Sequence, residues 1–234
     1  MKADDLANLE QELVRRGLAP AVRMGIRNAK IAVIDDRIED LRSILDGLRR
    51  EGFSNLVEIP EVKSVNELLT AGYDLVILDL VGVAQSVTEA DGVGVLAALK
   101  SSSPATAVLV VSGNAISPAL AEGLRQADLI RTKPVLPADL AADVETLLKV
   151  KNDQFWAGLA VLREINRLEP EFRERLGWKE RAMLWWNSMR LARQLANRDP
   201  SVIQRLIKIS DTVSRLGAVA VRITSITSAV RLRP

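Results

Sequence analysis

The most constraining feature of this chain is the recurrence of short apolar runs, each followed at once by a polar residue. The runs are KIAVI (Lys30 to Ile34), DLVIL (Asp74 to Leu78), TAVLVV (Thr106 to Val111) and the weaker DLIRT (Asp128 to Thr132). Runs this short and this rich in Val and Ile read as parallel strands buried on both faces. Helical stretches separate them, so the pattern is repeated βα. In an open parallel sheet the site lies outside the carboxyl ends of the strands. The residues at those ends are Asp35 and Asp36, Asp79, Ser112 and Lys133. Three carboxylates, a hydroxyl and an ammonium are therefore expected to converge on one edge of the sheet.

The stretches between the runs read as helices with recognisable stops. Arg37 to Glu51 ends at Gly52, and Ser64 to Ala71 at Gly72. Gly92 to Lys100, Ser117 to Gln126 and Pro137 to Lys149 complete the set, and Asn55 to Ile59 is a further candidate strand. Ahead of them, Asp4 to Arg16 carries Leu6, Leu9 and Leu13 on one helical face, stopped by Gly17. Two compositional shifts coincide near residue 150. Residues 1–150 hold 16 Lys/Arg against 22 Asp/Glu, net −6, and residues 151–234 hold 16 against 8, net +8. All four tryptophans lie in the second part. The expected organisation is an N-terminal helical extension (1–28), an α/β domain (29–150) and a helical domain (151–234).

Several chemistries are excluded. The 234 residues contain no cysteine and no histidine, which removes disulfides, thiolate or imidazole metal sites, and triads built on either residue. No apolar run is long enough for a transmembrane helix. The acidic, amphipathic start MKADDLANLEQELVRR is not a signal peptide. A cytoplasmic chain without membrane contact is expected.

Each strand-end residue alone has an ordinary reading. An acid after a strand caps the next helix, Asp79 is a solvated loop residue, and Ser112-Gly113 is a turn. Together and in order, IAVIDD, DLVILD, VVSG and TKP resemble the receiver domain of bacterial response regulators over roughly residues 29–150. The intervals of 43, 33 and 21 residues from Asp36 to Asp79, Ser112 and Lys133 suit that domain. The resemblance implies a five-stranded, doubly wound parallel sheet in the order 2-1-3-4-5. It implies Asp79 as a phosphoryl acceptor, with Mg²⁺ held by Asp35, Asp36, Asp79 and the backbone carbonyl of Val81. Mg²⁺ suits, being a hard cation held by one or two carboxylates, waters and phosphate oxygens. Ser112 and Lys133 would bind the phosphoryl oxygens, with Gly113 leaving room for them, and Lys133-Pro134 matches the family's typically cis Lys-Pro. The implied partner is a histidine kinase or histidine phosphotransfer protein, and the implied role is a phosphoacceptor, not a turnover enzyme.

The sequence departs from the family's pattern in two places. The stretch LVGVAQSVTEADG puts Asp91 12 residues after Asp79, about five more than is usual in the family, without the common Met-Pro. Ile130 stands where switching receivers carry Tyr or Phe, and Val135 replaces the common Phe. The positions that tune dephosphorylation in the family are Val81 and Asn114 here.

The second part reads as all-helical: Asp153 to Leu168, Pro170 to Leu176 and Trp178 to Asn197. Asp199-Pro200 is a helix start. From Val202 a heptad runs through Leu206, Ile209, Val213, Leu216, Ala220, Ile223, Thr227 and Val230. It suggests a coiled-coil seam or a long bundle helix, weakened by Gly217, and hence a homodimer through these helices. The β-branched tail AVAVRITSITSAV is also compatible with an extended segment. Trp185 and Trp186 point about 100° apart on a helix, so one is expected in the core and one at a boundary or interface, or both in the core. Two alternatives stand beside a protein-binding output. One is binding of DNA or RNA through Arg190, Arg193, Arg198, Arg205 and Lys208. The other is a scaffold that keeps the fold without phosphoryl flux.

Overall fold

The computed structural model describes residues 3–18, 20–113, 123–197, 199–214 and 221–231. The chain forms two compact units, one of Arg23–Leu148 and one of Met1–Val22 with Lys149–Pro234.

The first unit is the α/β sheet. Its strands are β1 (Ile31–Ile34), β2 (Leu56–Ile59), β3 (Leu75–Leu78), β4 (Ala107–Ser112) and β5 (Leu129–Thr132). All neighbours are parallel and the order is β2-β1-β3-β4-β5. This is the flavodoxin-like arrangement expected from the sequence. β1, β3 and β4 are buried at every residue, as a central parallel strand must be when helices cover both faces. β2 and β5 are the edges and stay partly open. That is why DLIRT is the weakest run. Ala32, Ile34, Val76, Leu78, Val108 and Val110 share one core cluster with Val95, Leu96 and Leu99 of α5 (Asp91–Ser102). The alternate residues Ile31, Val33, Leu75 and Ile77 face the other side and are equally buried.

α2 (Pro20–Arg27) spans the division between the units at Val22 and Arg23, and the sheet unit also holds α3 (Arg42–Arg50, entered through a 3₁₀ turn over Ile38–Leu41) and α4 (Val65–Thr70). α6 (Pro137–Asn152) follows β5, and the division between the units falls in its last turn. Ser64 caps α4, its Oγ accepting from the Glu67 N–H at 3.3 Å. At the amino ends of β4 and β5, the buried Lys100 ammonium donates to the Asp128 carboxylate and, at 2.9 Å, to the Thr106 carbonyl. The same Asp128 oxygen accepts from the Val108 N–H at 2.7 Å. α2 was not anticipated, because its eight residues fall short of the roughly 11–18-residue window over which a helical period is read.

The second unit is helical. α1 (Ala3–Arg16) packs Leu6 and Leu13 into one core with residues of α7 (Gln154–Arg167), α8 (Glu169–Arg175), α9 (Trp178–Ala196), α10 (Val202–Val213) and α11 (Val221–Arg231). The N-terminal helix is thus part of this core. Asp153 caps α7 through the Phe155 and Trp156 N–H groups.

Of the two readings of the heptad, bundle packing is the one the described residues bear out. Val202, Leu206, Ile209, Val213 and Ile223 are fully buried in this unit's own core, so the seam is intramolecular. Its spacing of four and three serves a bundle helix as well as a coiled coil. The tail is helical over Val221–Arg231, which overturns the extended alternative. Leu216, Gly217 and Ala220 lie outside the described residues, as do Asn114, Arg198 and most of the expected helix from Ser117. Nor is either ring of the tryptophan pair in the core: Trp185 is 61% exposed and Trp186 56%.

Candidate functional site

The parallel ladder fixes where each strand ends. The Asp35 N–H donates to the Ile59 carbonyl at 3.2 Å, and the Asp79 N–H to the Ile34 carbonyl at 2.8 Å. Ser112 pairs with Thr132, and the Lys133 N–H donates back to the Ser112 carbonyl at 2.9 Å. Main-chain bonds alone therefore bring the five strand-end residues to one rim.

Their side chains meet there. Lys133 Nζ lies 2.6 Å from Asp35 Oδ2 and 3.4 Å from Asp79 Oδ2. Asp35, Asp36 and Asp79 each place a carboxylate oxygen within 4.8 Å of the others. Asp35 and Asp79 are 2% and 5% exposed, and Ser112 is buried as well, whereas Asp36 opens to solvent. Asp35 divides its oxygens: Oδ2 faces Lys133, and Oδ1 accepts the Arg37 N–H at 2.9 Å. The local turn-cap reading of this acid thus holds for one oxygen, while the other pairs with the Lys133 ammonium. The Lys133-Pro134 peptide is cis. A Cβ added at Gly113 would meet nothing nearer than Lys133 Cδ at 3.8 Å, so the space beside Ser112 is open.

Three acids face the Lys133 ammonium and, 3.9 Å from Asp36, the exposed Arg37 guanidinium, so the charge is not balanced. Burial pushes the Asp79 pKa up, and the neighbouring Asp35 charge pushes it further. The Leu80 N–H and Lys133 pull the other way without prevailing. Buried like charges this close call for a cation. An all-oxygen cluster at this spacing fits a hard divalent ion such as Mg²⁺.

The loop after Asp79 is built, despite its length. Asp91 takes the Gly82 N–H on Oδ2 at 2.6 Å and the Ala84 N–H on Oδ1 at 2.7 Å. Val83 and Ala84 are buried, and the Val83 carbonyl accepts from the Val62 N–H at 2.7 Å. Gly82 has φ +82°, and a Cβ there would stand 2.8 Å from Asp36 Oδ2. Gly92 is equally constrained, since its Cβ would come within 2.4 Å of the Asp79 carbonyl. Val81 exposes its side chain and lies between Gly82 and Leu80, whose carbonyl accepts the Gly92 N–H at 3.2 Å. Asp91, Gly82 and Arg37 were missed as site residues, and only the Asp91-Gly92 pair left a trace in the sequence. Ile130 is half-buried against the core cluster, so no ring occupies that position.

No family profile and no curated protein matches the chain. Similar solved structures are receiver domains, aligned over about half of it. A CheY-like response regulator receiver domain from Methanospirillum hungatei is 21% identical, covers 52% of this chain and 94% of its own, and has a TM-score of 0.45. The receiver domain of the Francisella response regulator 1452 is 24% identical, with coverages of 52% and 98% and a TM-score of 0.44. The phosphorylated cyanobacterial phytochrome response regulator RcpA is 22% identical, with coverages of 56% and 94% and a TM-score of 0.41.

Proposed function

We propose that this chain is a response regulator of a bacterial two-component or phosphorelay pathway, with Asp79 as its phosphoryl acceptor. The observation that carries the reading is the rim itself: a buried Asp79, an ammonium 3.4 Å away, and two further carboxylates within 4.8 Å. Phosphoryl transfer asks a protein mainly for positioning and charge neutralisation, and this set supplies both.

In this reading Asp79 Oδ attacks the phosphorus of a phosphohistidine on a partner kinase or phosphotransfer protein. The new O–P bond forms as the P–N bond breaks, and the departing imidazole takes up a proton. Mg²⁺, when bound, supplies the positive charge that lets two anionic groups approach. Asp35, Asp36, Asp79 and the Val81 carbonyl are the residues that would hold it. Lys133 pairs with Asp79 before transfer and with a phosphoryl oxygen afterwards. Ser112 donates a hydrogen bond to another oxygen, and Gly113 keeps the space clear. Each cycle modifies the chain once, so it is a signalling protein of the cytoplasm, not a turnover enzyme. The helical unit carries the output, by binding a protein partner or a second copy.

The test is incubation of the protein with Mg²⁺ and acetyl phosphate. An acid-stable, base-labile phosphate on Asp79, absent from Asp79→Asn, is expected. If none forms, the fold is a scaffold without phosphoryl flux.

A further inference from the structure

A bundle helix normally turns one apolar stripe inward and a polar face outward. α9 carries two apolar stripes. Leu184, Leu191 and Leu195 form the buried one. Trp178, Ala182, Trp185 and Met189 form the other, at spacings of four, three and four, and all are exposed. Trp178 is 70% open and Met189 45%, with Met183 and Trp186 on the flanks. Scattered apolar residues are ordinary on a surface, but a contiguous run of tryptophan and methionine is not.

Trp185 is the shared wall of two grooves. One, of about 460 Å³, is apolar, with Leu162, Ile165, Phe172 and Trp178 among its lining. The other, of about 580 Å³, is lined by Trp185, Trp186, Met189, Arg190, Arg193 and Arg205. Its guanidiniums are uncompensated. Among the described residues none of the three arginines has a carboxylate partner. Arg190 lies over the Trp186 ring at 5.5 Å. Arg205 is held by neutral acceptors, Asn187 Oδ1 at 2.9 Å and Gln194 Oε1 at 3.4 Å. Asp199, in the same groove, is engaged by the Ser201 N–H at 2.8 Å. Burial, with the nearby Arg190 charge, lowers the Arg205 pKa, as expected of a cation lacking its counter-charge.

We propose that the outer face of α9 is a docking surface for an acidic amphipathic helix of a partner protein. The partner's apolar stripe lies along Trp178, Trp185 and Met189, and its carboxylates meet Arg190, Arg193 and Arg205. The composition supports this occupant. Trp, Met and Arg are enriched at protein interfaces, while Lys is depleted. Single-stranded nucleic acid would use the tryptophans for stacking, yet it would leave the apolar groove and both methionines unfilled. A second copy is a poorer match. The only acid on α9 is Glu180, and it folds back onto the Gly177 N–H at 3.0 Å. A second α9 thus offers three arginines a single carboxylate, already engaged at its own helix start. The surface lies on the helical unit, and this inference stands whether or not Asp79 accepts a phosphoryl group.

The test is a fluorescence-anisotropy titration of the full chain into a labelled synthetic helix of three heptads, with leucine on one stripe and glutamate on its flanks. The same helix with lysine for glutamate and an oligothymidylate serve as counter-probes, and light scattering gives the mass. Saturable binding of the acidic helix is expected. Trp185→Ala and the Arg190→Glu/Arg193→Glu double variant should each weaken it roughly tenfold or more, the scale of losing interface anchors. Both sites are on the surface, and circular dichroism verifies that the variants stay folded. The proposal is overturned if the acidic helix does not bind or the lysine helix binds equally. Tighter binding of the oligothymidylate overturns it, as does binding that survives both variants. So does a dimer that either variant dissociates.

Discussion

Asp91→Ala probes the clamp that holds the loop beside the acidic rim. Asp91 gives up two charge-assisted hydrogen bonds on substitution, at 2.6 and 2.7 Å. Bonds to a charged group contribute roughly 1.5–3 kcal/mol each. The Gly82 N–H can recover part of its share from water, while the Ala84 N–H belongs to a buried residue and cannot. Asp91 also sits at φ +48°, which aspartate tolerates and alanine resists by about 1–2 kcal/mol. The expected loss is about 3–5 kcal/mol in the loop. Asn should lose about 2 kcal/mol, since it keeps one acceptor and the backbone tolerance, and Gly should fall between. Hydrogen exchange at the Gly82 and Ala84 amides reads the loop directly. The tryptophans all lie in the helical unit and would not report it. Because Val81 precedes Gly82, the apparent Mg²⁺ affinity should drop about tenfold, equivalent to about 1.4 kcal/mol. Unchanged amide exchange and unchanged Mg²⁺ binding in Asp91→Ala would refute the clamp.

Two further outcomes follow from the same unit. Lys100→Met strands the Asp128 carboxylate beside a buried methionine and should destabilise the unit by about 3–5 kcal/mol in urea titrations followed by far-UV circular dichroism. For Asp79 the folded-state pKa is raised, so its protonated form is the one the fold favours. Its contribution is therefore best below the unfolded value of 3.8 and is lost as pH rises through the raised pKa. Asp79→Asn should accordingly raise the Tm at neutral pH without Mg²⁺. That gain should fade on acidification, and a gain constant with pH would show that Asp79's charge is not its source.

The strand ends were legible because a central parallel strand, covered on both faces, must be a continuous apolar run, and the residue after it must lie at the rim. IAVI, LVIL and AVLVV carry that signal. β5 carries it weakly because it is an edge. The Asp35–Asp79–Lys133 cluster followed from topology alone, without any side-chain detail. What was not legible depends on contacts distant in sequence or on degenerate patterns. Asp91 acts through two amides that reach it only once the loop closes. The heptad from Val202 has one spacing for two architectures, and the covering by α7 and α9 decides between them. The tryptophan pair has no inward member because Leu184, Leu191 and Leu195 already fill the inner stripe.

The order of the two units along the sequence also sets an order of assembly. α1 is synthesised before the sheet, yet the core that receives Leu6 and Leu13 is made of helices after residue 149. The core residues shared by the sheet and α5 lie within Arg23–Leu148, all of them made before the helices that cover α1. The earlier helix waits, its leucines uncovered, until those later helices have been made. A truncated product ending at 148 would keep those leucines bare, whereas one beginning at 23 would not carry them.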